Sequence, residues 1–503
     1  METRPKVTVI VPVHNPGPAL ERSIASVLAQ TMPPGDLEAI FVDDGSTDGS
    51  GARLDEVAAA SPHVRVLHIP ASGSPGRPRN LALAEARGDY VQFLDADDRL
   101  APGAAERGHA TAVRNGADIV VAKLVSDFRS VSWDLFRTSR EACSVLDAPL
   151  IANLTVSKLF RTAFLREHDI RFPEGWSKIE DERFVVRAYL AARVVSVDAD
   201  EPAYFYCGRA DGGNLSSAPV DPGTYCEHLR EILGLVTAGV EAGEPRTRLL
   251  RRFYRTDMLG RLGDEAYLAG EDAYRSAVFA SVRALALETM DDEVHAGLGA
   301  LLRLRSTLLR EGRPEALLDL ARRSLDLRLD VVAGPVETTG GGLQVPVRAG
   351  VHWADGTPLA LVRDGDRLLL DPRLVDGVTP EPFDVAGDVD RLRLIAAMRD
   401  RDTAVEWVVP PGGRVTLRPV GSGTVSPVLH GSLALDPDGV GPGRRSLDPG
   451  AWEVIVRVRG LDHDLRTPLL AGRRPPVALP ARLLRRPPGL ARAEVVPGEP
   501  VVI

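Results

Sequence analysis

The acidic run Asp95-Ala96-Asp97-Asp98 has the residue types that could hold a metal ion. It follows the apolar run Tyr90–Leu94, so a predicted buried strand ends in a group of carboxylates. Like charges this close repel one another unless a cation holds them, and hard oxygen ligands suit Mg²⁺ or Mn²⁺. Such ions usually use one or two carboxylates plus substrate phosphates, which points to a nucleoside diphosphate. An ordinary acidic loop remains the alternative for this motif alone.

A second acidic cluster, Asp43-Asp44-Gly45-Ser46-Thr47-Asp48, follows another predicted strand. Gly45 permits a turn, and Asp48 can cap the next helix. A strand–turn–helix connection explains Asp48 but leaves Asp43 and Asp44 without a role. A carboxylate here could accept a hydrogen bond from a nucleobase NH group.

The segment Gly73–Asn80 is predicted to be a glycine-containing loop before a helix. Glycines permit close backbone approach, and a helix N-terminus favours anions. Arg79 could add a forked charge for a phosphate or a carboxylate. A surface loop with a helix cap explains the segment equally well.

The segment Trp176–Phe184 places the acids Glu180, Asp181 and Glu182 at the start of a predicted helix. Acids in the first turn of a helix interact favourably with the helix dipole, which explains their presence without a catalytic role. A carboxylate at the rim of a cleft could also be a general base that removes a proton from an attacking hydroxyl. Trp176 could stack on a sugar ring or belong to the core.

These clusters follow strands that alternate with helices, which predicts a mostly parallel sheet covered by helices. Ligands of such sheets bind beyond the carboxyl ends of the strands, where the acidic clusters and His14-Asn15 fall. The predicted strands are Val7–Val13, Glu38–Val42, Val64–Ile69 and Tyr90–Leu94, and the predicted helices are Pro18–Leu28, Leu54–Ala60 and Asn80–Ala86.

Composition places the chain among multidomain globular proteins. Its 503 residues are 44% hydrophobic, which suggests two to four domains and excludes a disordered chain. The net charge of -9 argues against bulk attraction to nucleic acid, and the three cysteines show no disulfide or zinc spacing. No apolar run has the ~20 residues of a membrane span, and the N-terminus lacks a signal-peptide pattern. We therefore expect a cytoplasmic protein, at most peripheral at the inner face of the membrane.

Proline divides the chain into regions of different predicted structure. Only Pro245 and Pro314 fall between residues 231 and 330, so this stretch is predicted to be helical. The proline-rich remainder has short strand-like runs and Gly/Pro turns, typical of β-sandwiches. The predicted division is an α/β domain at 1–225, a helical linker at 226–330 and two β-rich modules at 331–420 and 421–503.

Taken in order, the motifs resemble family 2 glycosyltransferases of the GT-A fold. They are Val9–Asn15, Val42–Asp48, Gly76–Asn80, Gly88–Asp98 and Glu180-Asp181. The resemblance covers about residues 5–220. It implies a Rossmann-like, doubly wound catalytic domain. The helical middle and β-rich end are similar in layout to the bacterial wall teichoic acid β-N-acetylglucosaminyltransferases, which append immunoglobulin-like modules.

The resemblance implies a role for individual residues. Pro12 and Asn15 would lie in the nucleotide loop, and Asp44, together with Asp43, would bind uracil. Asp97 would coordinate Mn²⁺ or Mg²⁺ on the diphosphate, and Asp181 would be the catalytic base. Further contacts to the substrates are implied for Arg79, Asn80, Asp95, Glu180, Arg209 and Ser216. Asn214 stands where relatives place a histidine, which leaves the third metal ligand open.

The implied activity is transfer of an N-acetylhexosamine or hexose from a UDP-sugar. The acceptor would be a cell-surface polymer such as teichoic acid or capsular polysaccharide. One base without a separate nucleophile implies a single displacement with inversion. The C-terminal modules would bind polymer or build a homo-oligomer.

Two other classes remain alternatives. A degenerate transferase scaffold could bind polysaccharide or drive assembly, but intact Asp97 and Asp181 argue against it. A nucleotidyltransferase would carry a glycine-rich basic loop where this chain reads Pro12-Val13-His14-Asn15-Pro16.

Overall fold

The structure is a computed structural model that falls into two units, Met1–Arg246 and Thr247–Ile503. It describes residues 4–128, 131–175, 178–208, 220–335, 337–339, 342–378, 383–409, 412–435, 452–460 and 463–468.

The described part of the first unit contains one nine-stranded sheet. Its strands are β1 (Val7–Val13), β2 (Leu37–Asp44), β3 (Val64–Ile69), β4 (Tyr90–Phe93), β5 (Arg99–Leu100), β6 (Ile119–Ser126), β7 (Arg140–Cys143), β8 (Leu159–Arg161) and β9 (Val195–Tyr206). Their order is β3-β2-β1-β4-β8-β6-β9-β5, with β7 paired to β9. Strands β1 to β4 are parallel, and β8 runs antiparallel to both β4 and β6. The carboxyl ends of β1 to β4 therefore lie at the same edge.

Helices connect these strands. They are α1 (Ala19–Leu28), α2 (Ser50–Ala60), α3 (Gly76–Glu85), α4 (Ala104–Asn115), α5 (Thr162–Glu167), α6 (Glu180–Ala191) and α7 (Pro222–Gly239). The sequence placed the start of α3 four residues too late, at Asn80. The glycine-containing segment Gly73–Asn80 was predicted to be a loop, but its second half forms the first turn of α3, where Pro78 is tolerated because its missing N–H needs no partner. Arg79 accordingly lies on a helix and not in a loop.

The central strands form the core of the first unit. Every residue of β2 is buried, as are six of the seven residues of β1, where Pro12 is half-buried. Val9, Val11 and Val13, spaced two apart in β1, are fully buried, and so is Ile10 on the opposite face. Burial on both faces explains the continuous apolar run, because helices cover both sides of a parallel sheet.

The second unit begins with helices. Helix α8 (Glu244–Phe253) spans the division between the units and is followed by a π-helical segment, Tyr254–Leu259. The next helices are α9 (Glu265–Ala269), α10 (Asp272–Thr289), α11 (Asp292–Ala296), α12 (Ala300–Glu311) and α13 (Pro314–Ser324). The helical middle region predicted from the scarcity of proline is confirmed.

Two antiparallel sheets follow within the described residues. The strands are β10 (Leu327–Ala333), β11 (Glu337–Thr339), β12 (Gly342–Trp353), β13 (Leu361–Asp364), β14 (Arg367–Leu369), β15 (Arg393–Asp400), β16 (Glu406–Val409), β17 (Arg414–Gly421), β18 (Thr424–Leu435), β19 (Trp452–Gly460) and β20 (His463–Pro468), with short helices α14 (Pro372–Val375) and α15 (Ala386–Val389). One sheet has the order β10-β12-β18-β13-β14, with β11 on β12 and β17 on β18, and the other has the order β16-β15-β19-β20.

The predicted β-rich end of the chain is confirmed. The predicted boundary between residues 420 and 421 falls within the β17–β18 hairpin. The division into four regions otherwise stays a prediction. Across the described residues, no helix has the length and apolar character needed to cross a membrane.

Candidate active site

The carboxyl ends of β1, β2 and β4 bring three polar segments together. Asn15 follows β1, Asp43 and Asp44 end β2, and Asp95 follows β4. His14 Nδ1 donates a hydrogen bond to the Asp44 carbonyl at 2.7 Å, which connects the first segment to the second. Parallel pairing thus produces the cluster of polar groups that the strand–helix alternation predicted.

Asn15 fixes the turn after β2. Its φ angle is 48°, a left-handed conformation that asparagine tolerates better than most residues. Its backbone N–H donates to Ser46 Oγ at 3.2 Å, and its side-chain Oδ1 accepts from the Thr47 N–H at 2.7 Å. This arrangement holds the loop predicted to surround a nucleotide.

Asp43 and Asp44 have different environments. Asp43 accepts from the Ser46 N–H at 3.0 Å and pairs with His68 Nδ1 at 3.0 Å. Burial would raise the pKa of Asp43, but hydrogen bonds from Ser46 and His68 and the charge of His68 outweigh it, and the pKa is lowered. Asp43 therefore stabilises the turn as an ionised carboxylate.

The Asp44 carboxylate is held by Ser72. One of its carboxylate oxygens accepts from the Ser72 N–H at 2.8 Å, and the other accepts from Ser72 Oγ at 2.7 Å. Its exposed fraction is 3%. The segment before α3 is thereby fastened to the end of β2. Sequence reasoning missed Ser72, because a serine in a loop gives no local signal of such a contact.

Arg79 joins two of the acidic clusters. Its guanidinium is 3% exposed; Nη2 donates to Asp95 Oδ1 at 2.7 Å and Nη1 donates to Asp181 Oδ1 at 2.6 Å. Glu180 Oε1 lies 3.8 Å from Nη1. Burial alone would lower the pKa of Arg79, but the charges of Asp181, Asp95 and Glu180 raise it, so the cation is permanent.

Helix α3 is packed closely against the segment that leads to α6. A Cβ atom on Gly76 would lie 2.2 Å from the Pro173 carbonyl oxygen, so only glycine allows this approach. Asn80 donates to the Phe172 carbonyl at 3.0 Å and accepts from the Phe172 N–H at 2.9 Å. The Asn80 amide thus holds Phe172, whose ring lies 5.0 Å from Arg79 Cζ.

An aromatic cluster supports the start of α6. The Phe172 and Phe184 rings are stacked, with centroids 4.0 Å apart and an interplanar angle of 8°. Phe93 and Phe160 contact Phe184 edge-on at 5.6 and 5.4 Å. Because Phe184 lies one turn beyond Asp181, this packing fixes the position of the predicted base.

Two of the three acids at the start of α6, Glu180 and Asp181, are stabilised in their protonated forms. Burial and the neighbouring Asp181 raise the pKa of Glu180 to about 7, against the opposing effect of Arg79. Burial, opposed by Arg79 and assisted by Asp95, raises the pKa of Asp181. A carboxylate whose pKa is shifted toward neutrality is suited to accept a proton at physiological pH.

The acidic run after β4 contains one buried aspartate, Asp98, and two half-buried ones, Asp95 and Asp97. Asp98 is 2% exposed and accepts from Tyr204 Oη at 2.8 Å and from the Cys207 N–H at 2.9 Å. The Asp95 N–H donates to the same Tyr204 oxygen at 3.1 Å. Asp98 and Tyr204 therefore connect the run to β9. Sequence reasoning placed Asp98 only in the candidate metal-holding run and gave Tyr204 no role, because their contact spans more than a hundred positions.

The Asp97 carboxylate, in the acidic run after β4, is compatible with a divalent cation. Asp97 is half-buried, and its backbone carbonyl accepts from Arg22 Nη2 at 2.8 Å, which fixes the loop that carries it. Among the described residues, no group of three or more His, Cys, Asp or Glu side chains is arranged to hold a metal. Mg²⁺ and Mn²⁺ are commonly held by one or two carboxylates with substrate phosphates, and Asp97 suits that mode.

Some predicted site residues lie outside the described residues. These are Trp176, Arg209, Asn214 and Ser216. Of the other predicted site residues, Arg79, Asp95, Glu180 and Asp181 form one cluster, while Asn15, Asp43 and Asp44 form the neighbouring loop cluster.

Two family models match the chain. Residues 8–167 match the model described as glycosyl transferase family 2. Residues 222–321 match the glycosyl transferase TarS linker domain. The second match covers α7 and most of the helical region that follows it.

Curated relatives are identical to this chain at about a third of the aligned positions. A poly(ribitol-phosphate) beta-glucosyltransferase of Bacillus spizizenii is 33% identical over 46% of this chain and 37% of its own length. The poly(ribitol-phosphate) beta-N-acetylglucosaminyltransferase TarS of Staphylococcus aureus is 33% identical over 45% of this chain and 40% of its own length. The chain thus spans less than half the length of these relatives. TarP of S. aureus, a beta-N-acetylglucosaminyltransferase, is 30% identical over 45% of this chain and 71% of its own length.

Solved structures share the fold. The structure of S. aureus TarS 1–349 in complex with UDP-GlcNAc matches with a TM-score of 0.58 and 24% identity, covering 70% of this chain and 98% of that one. The longer S. aureus TarS structure matches with a TM-score of 0.56 and 19% identity, covering 93% of this chain and 78% of that one. The predicted α/β fold of the GT-A type is confirmed. The matching family model, the described motifs and the aligned share of TarP agree, and the chain belongs to glycosyl transferase family 2.

Proposed function

We propose that this chain is an inverting, metal-dependent glycosyltransferase that moves a sugar from a UDP-sugar to a polyol-phosphate polymer of the teichoic acid type. The observation that supports it best is the Arg79 bridge. One buried guanidinium places the strand-end carboxylate of Asp95 and the helix-start carboxylate of Asp181 at the same site. Donor binding and proton removal need to be adjacent for a direct displacement.

Each substrate would contact a separate part of the site. The uracil would lie against Asp44 and the loop held by Asn15, beyond the ends of β1 and β2. Pro12 and Asp43 would shape this pocket. Asp95, Arg79 and Asn80 would face the ribose or the sugar. Arg209 and Ser216 would reach the diphosphate.

Asp97 would hold the divalent cation, Mn²⁺ or Mg²⁺. When bound, such an ion stabilises the negative charge of the departing diphosphate. The protein's own residues do the remaining work. Arg79 orients Asp181, the aromatic cluster fixes α6, and the Asp181 carboxylate takes the proton of the acceptor hydroxyl.

The names of the relatives suggest the substrates. TarS, TarP and the Bacillus relative are named for poly(ribitol-phosphate), and the TarS structure contains UDP-GlcNAc. Glucose and N-acetylglucosamine are therefore the first donor sugars to test. Polymer binding or oligomer formation by the C-terminal sheets stays a prediction.

A donor and acceptor panel tests the proposal. UDP release would be measured with UDP-glucose, UDP-N-acetylglucosamine and UDP-galactose, each with Mn²⁺ and with or without poly(ribitol phosphate) or poly(glycerol phosphate). We expect one donor and one polymer to give acceptor-dependent release that EDTA abolishes and added Mn²⁺ restores. Asp97→Asn should remove the metal-dependent rate. UDP-sugar that binds but is not consumed with any polymer would contradict the proposal and favour a binding scaffold.

A further inference from the structure

The hydroxyl group of Tyr204 bridges the two ends of the turn that carries Asp97. Residues 95–98 form a β-turn, in which the Asp98 N–H donates to the Asp95 carbonyl at 3.1 Å. The Asp95 N–H donates to Tyr204 Oη at 3.1 Å, and Oη in turn donates to Asp98 Oδ2 at 2.8 Å. One hydroxyl therefore contacts the first and the last residue of the turn, and Asp97 lies between them.

Strand β9 supplies this hydroxyl from a buried position. Tyr204 is 2% exposed, and its backbone is paired with Leu100 of β5, the strand that begins directly after the turn. The other oxygen of Asp98, Oδ1, accepts from the N–H of Cys207, which follows β9, at 2.9 Å. The turn is thus anchored to β9 through both of its ends.

Arg22 holds the corner of the same turn. Its Nη2 donates to the Asp97 carbonyl at 2.8 Å, and the residue is exposed on helix α1. Two elements far apart in the chain, α1 and β9, therefore hold the turn at its corner and at its ends. When the backbone on both sides of a residue is fixed, the direction in which its side chain leaves the backbone is fixed as well. For Asp97 that direction decides where its carboxylate lies.

We infer that Tyr204 and Arg22 are positioning residues for the divalent cation: their hydrogen bonds hold the turn in the shape that directs the Asp97 carboxylate toward the metal and the diphosphate. This inference rests on the proposed transferase function, in which Asp97 is the metal ligand. Neither residue needs to touch the metal or a substrate. Loss of a group that orients a metal ligand typically weakens metal binding about 10–100-fold.

The first test is the Mn²⁺ dependence of UDP binding to Tyr204→Phe. Calorimetric titrations with UDP in EDTA and at a series of Mn²⁺ concentrations give the Mn²⁺ concentration that produces half of the increase in affinity. Phenylalanine keeps the buried ring but removes the hydroxyl that joins Asp95 to Asp98. We expect the half-effect concentration to rise about tenfold. The affinity for UDP in EDTA should stay at the wild-type value, because the loop predicted to bind uracil is untouched.

Tyr90→Phe is the matched control. Tyr90 is also buried, at the start of β4, and its hydroxyl donates to the Ala117 carbonyl at 3.4 Å, at the opposite end of the strand from the turn. Its loss should leave the Mn²⁺ dependence unchanged. An unchanged half-effect concentration in Tyr204→Phe would overturn the inference. So would an equal loss of UDP affinity with Mn²⁺ and in EDTA, since it would show a general structural defect.

Arg22→Met tests the second contact and covers the case in which Tyr204→Phe fails to fold. Because Arg22 is exposed, its replacement leaves the core intact. A positioning role predicts that the half-effect concentration rises, by about three- to tenfold for one hydrogen bond. Loss of a positive charge near a cation predicts the opposite, because a repulsion is removed. An unchanged or lower value would therefore overturn the inference. Arg114→Met, exposed in the last turn of α4, is the matched control.

The outcomes separate this inference from the proposed function. If UDP binding to the wild-type protein does not respond to Mn²⁺, the proposed metal dependence fails, and the inference fails with it. If the wild type responds and either folded variant responds in the same way, the inference fails while the proposed function stands.

Discussion

Arg79 and Asp181, 102 positions apart in the chain, form a direct ion pair with 2.6 Å between Nη1 and Oδ1. The same guanidinium donates to Asp95 at 2.7 Å. A single buried side chain thus sets the distance between the end of β4 and the start of α6. This geometry makes the site one unit and determines how substitutions should affect it.

Arg79→Lys should lower kcat/KM although it conserves the charge. An ammonium is a point charge and cannot reproduce the two-armed geometry that reaches Asp95 and Asp181 together. Loss of one charge-assisted hydrogen bond costs about 1.5–3 kcal/mol, which corresponds to a roughly 10–100-fold fall in rate. Arg53→Lys is the matched control, since Arg53 forms an exposed ion pair with Glu21. Full activity of Arg79→Lys would show that the bridge is not needed.

Gly76→Ala should destabilise the protein and reduce activity together. The new Cβ would lie 2.2 Å from the Pro173 carbonyl, so the segment carrying Phe172 must move away from Arg79. Strain of this kind typically costs about 1–3 kcal/mol. In Gly234→Ala, the added Cβ meets no atom within 4 Å on helix α7, and stability should stay equal or rise. Calorimetric Tm values and kcat for both variants test this; equal Tm values would contradict the close packing.

Glu180→Gln should stabilise the protein at alkaline pH. The pKa of Glu180 is raised to about 7 in the folded chain, against 4.5 for an unperturbed glutamate. Its contribution to stability is fully present below about pH 4.5 and is lost as the pH rises through about 7. The amide has no such penalty, so the free energy of unfolding at pH 8 should rise by about 1–3 kcal/mol relative to wild type, with little change at pH 5.

Thermal unfolding at the two pH values measures this difference. Glu241→Gln, at an exposed position, is the control. Its free energy of unfolding should equal that of wild type at both pH values. A stability gain for Glu180→Gln that is the same at pH 5 and pH 8 would contradict the raised pKa.

The parts of the fold that follow local rules could be predicted from the sequence. The bounds of β1 and β3 were predicted as the structure has them, because an apolar β-branched run between turn residues is a local signal. The position of Asp43, Asp44 and Asp95 at one edge of the sheet also followed, since parallel strands end on the same side. The predicted start of α3 was wrong, because the glycine-containing segment before Asn80 was interpreted as a loop and its second half is helical.

The contacts that complete the site could not be predicted from local patterns. The Asp44–Ser72 pair, the Asn80–Phe172 contact and the Tyr204–Asp98 contact join residues far apart in the chain. The sequence around each of these residues gives no indication of its partner.

The most direct test of the account compares wild type with Asp181→Asn in acceptor-dependent UDP release from the preferred UDP-sugar. Asparagine keeps the shape of the side chain but cannot take the acceptor proton. We expect kcat to fall about 10²–10⁴-fold while UDP-sugar binding, measured by calorimetry, persists. Asp169→Asn, at an exposed position with a φ of 46° that asparagine accepts, should retain full activity. Full transfer by Asp181→Asn would contradict the assignment of the base and with it the central claim.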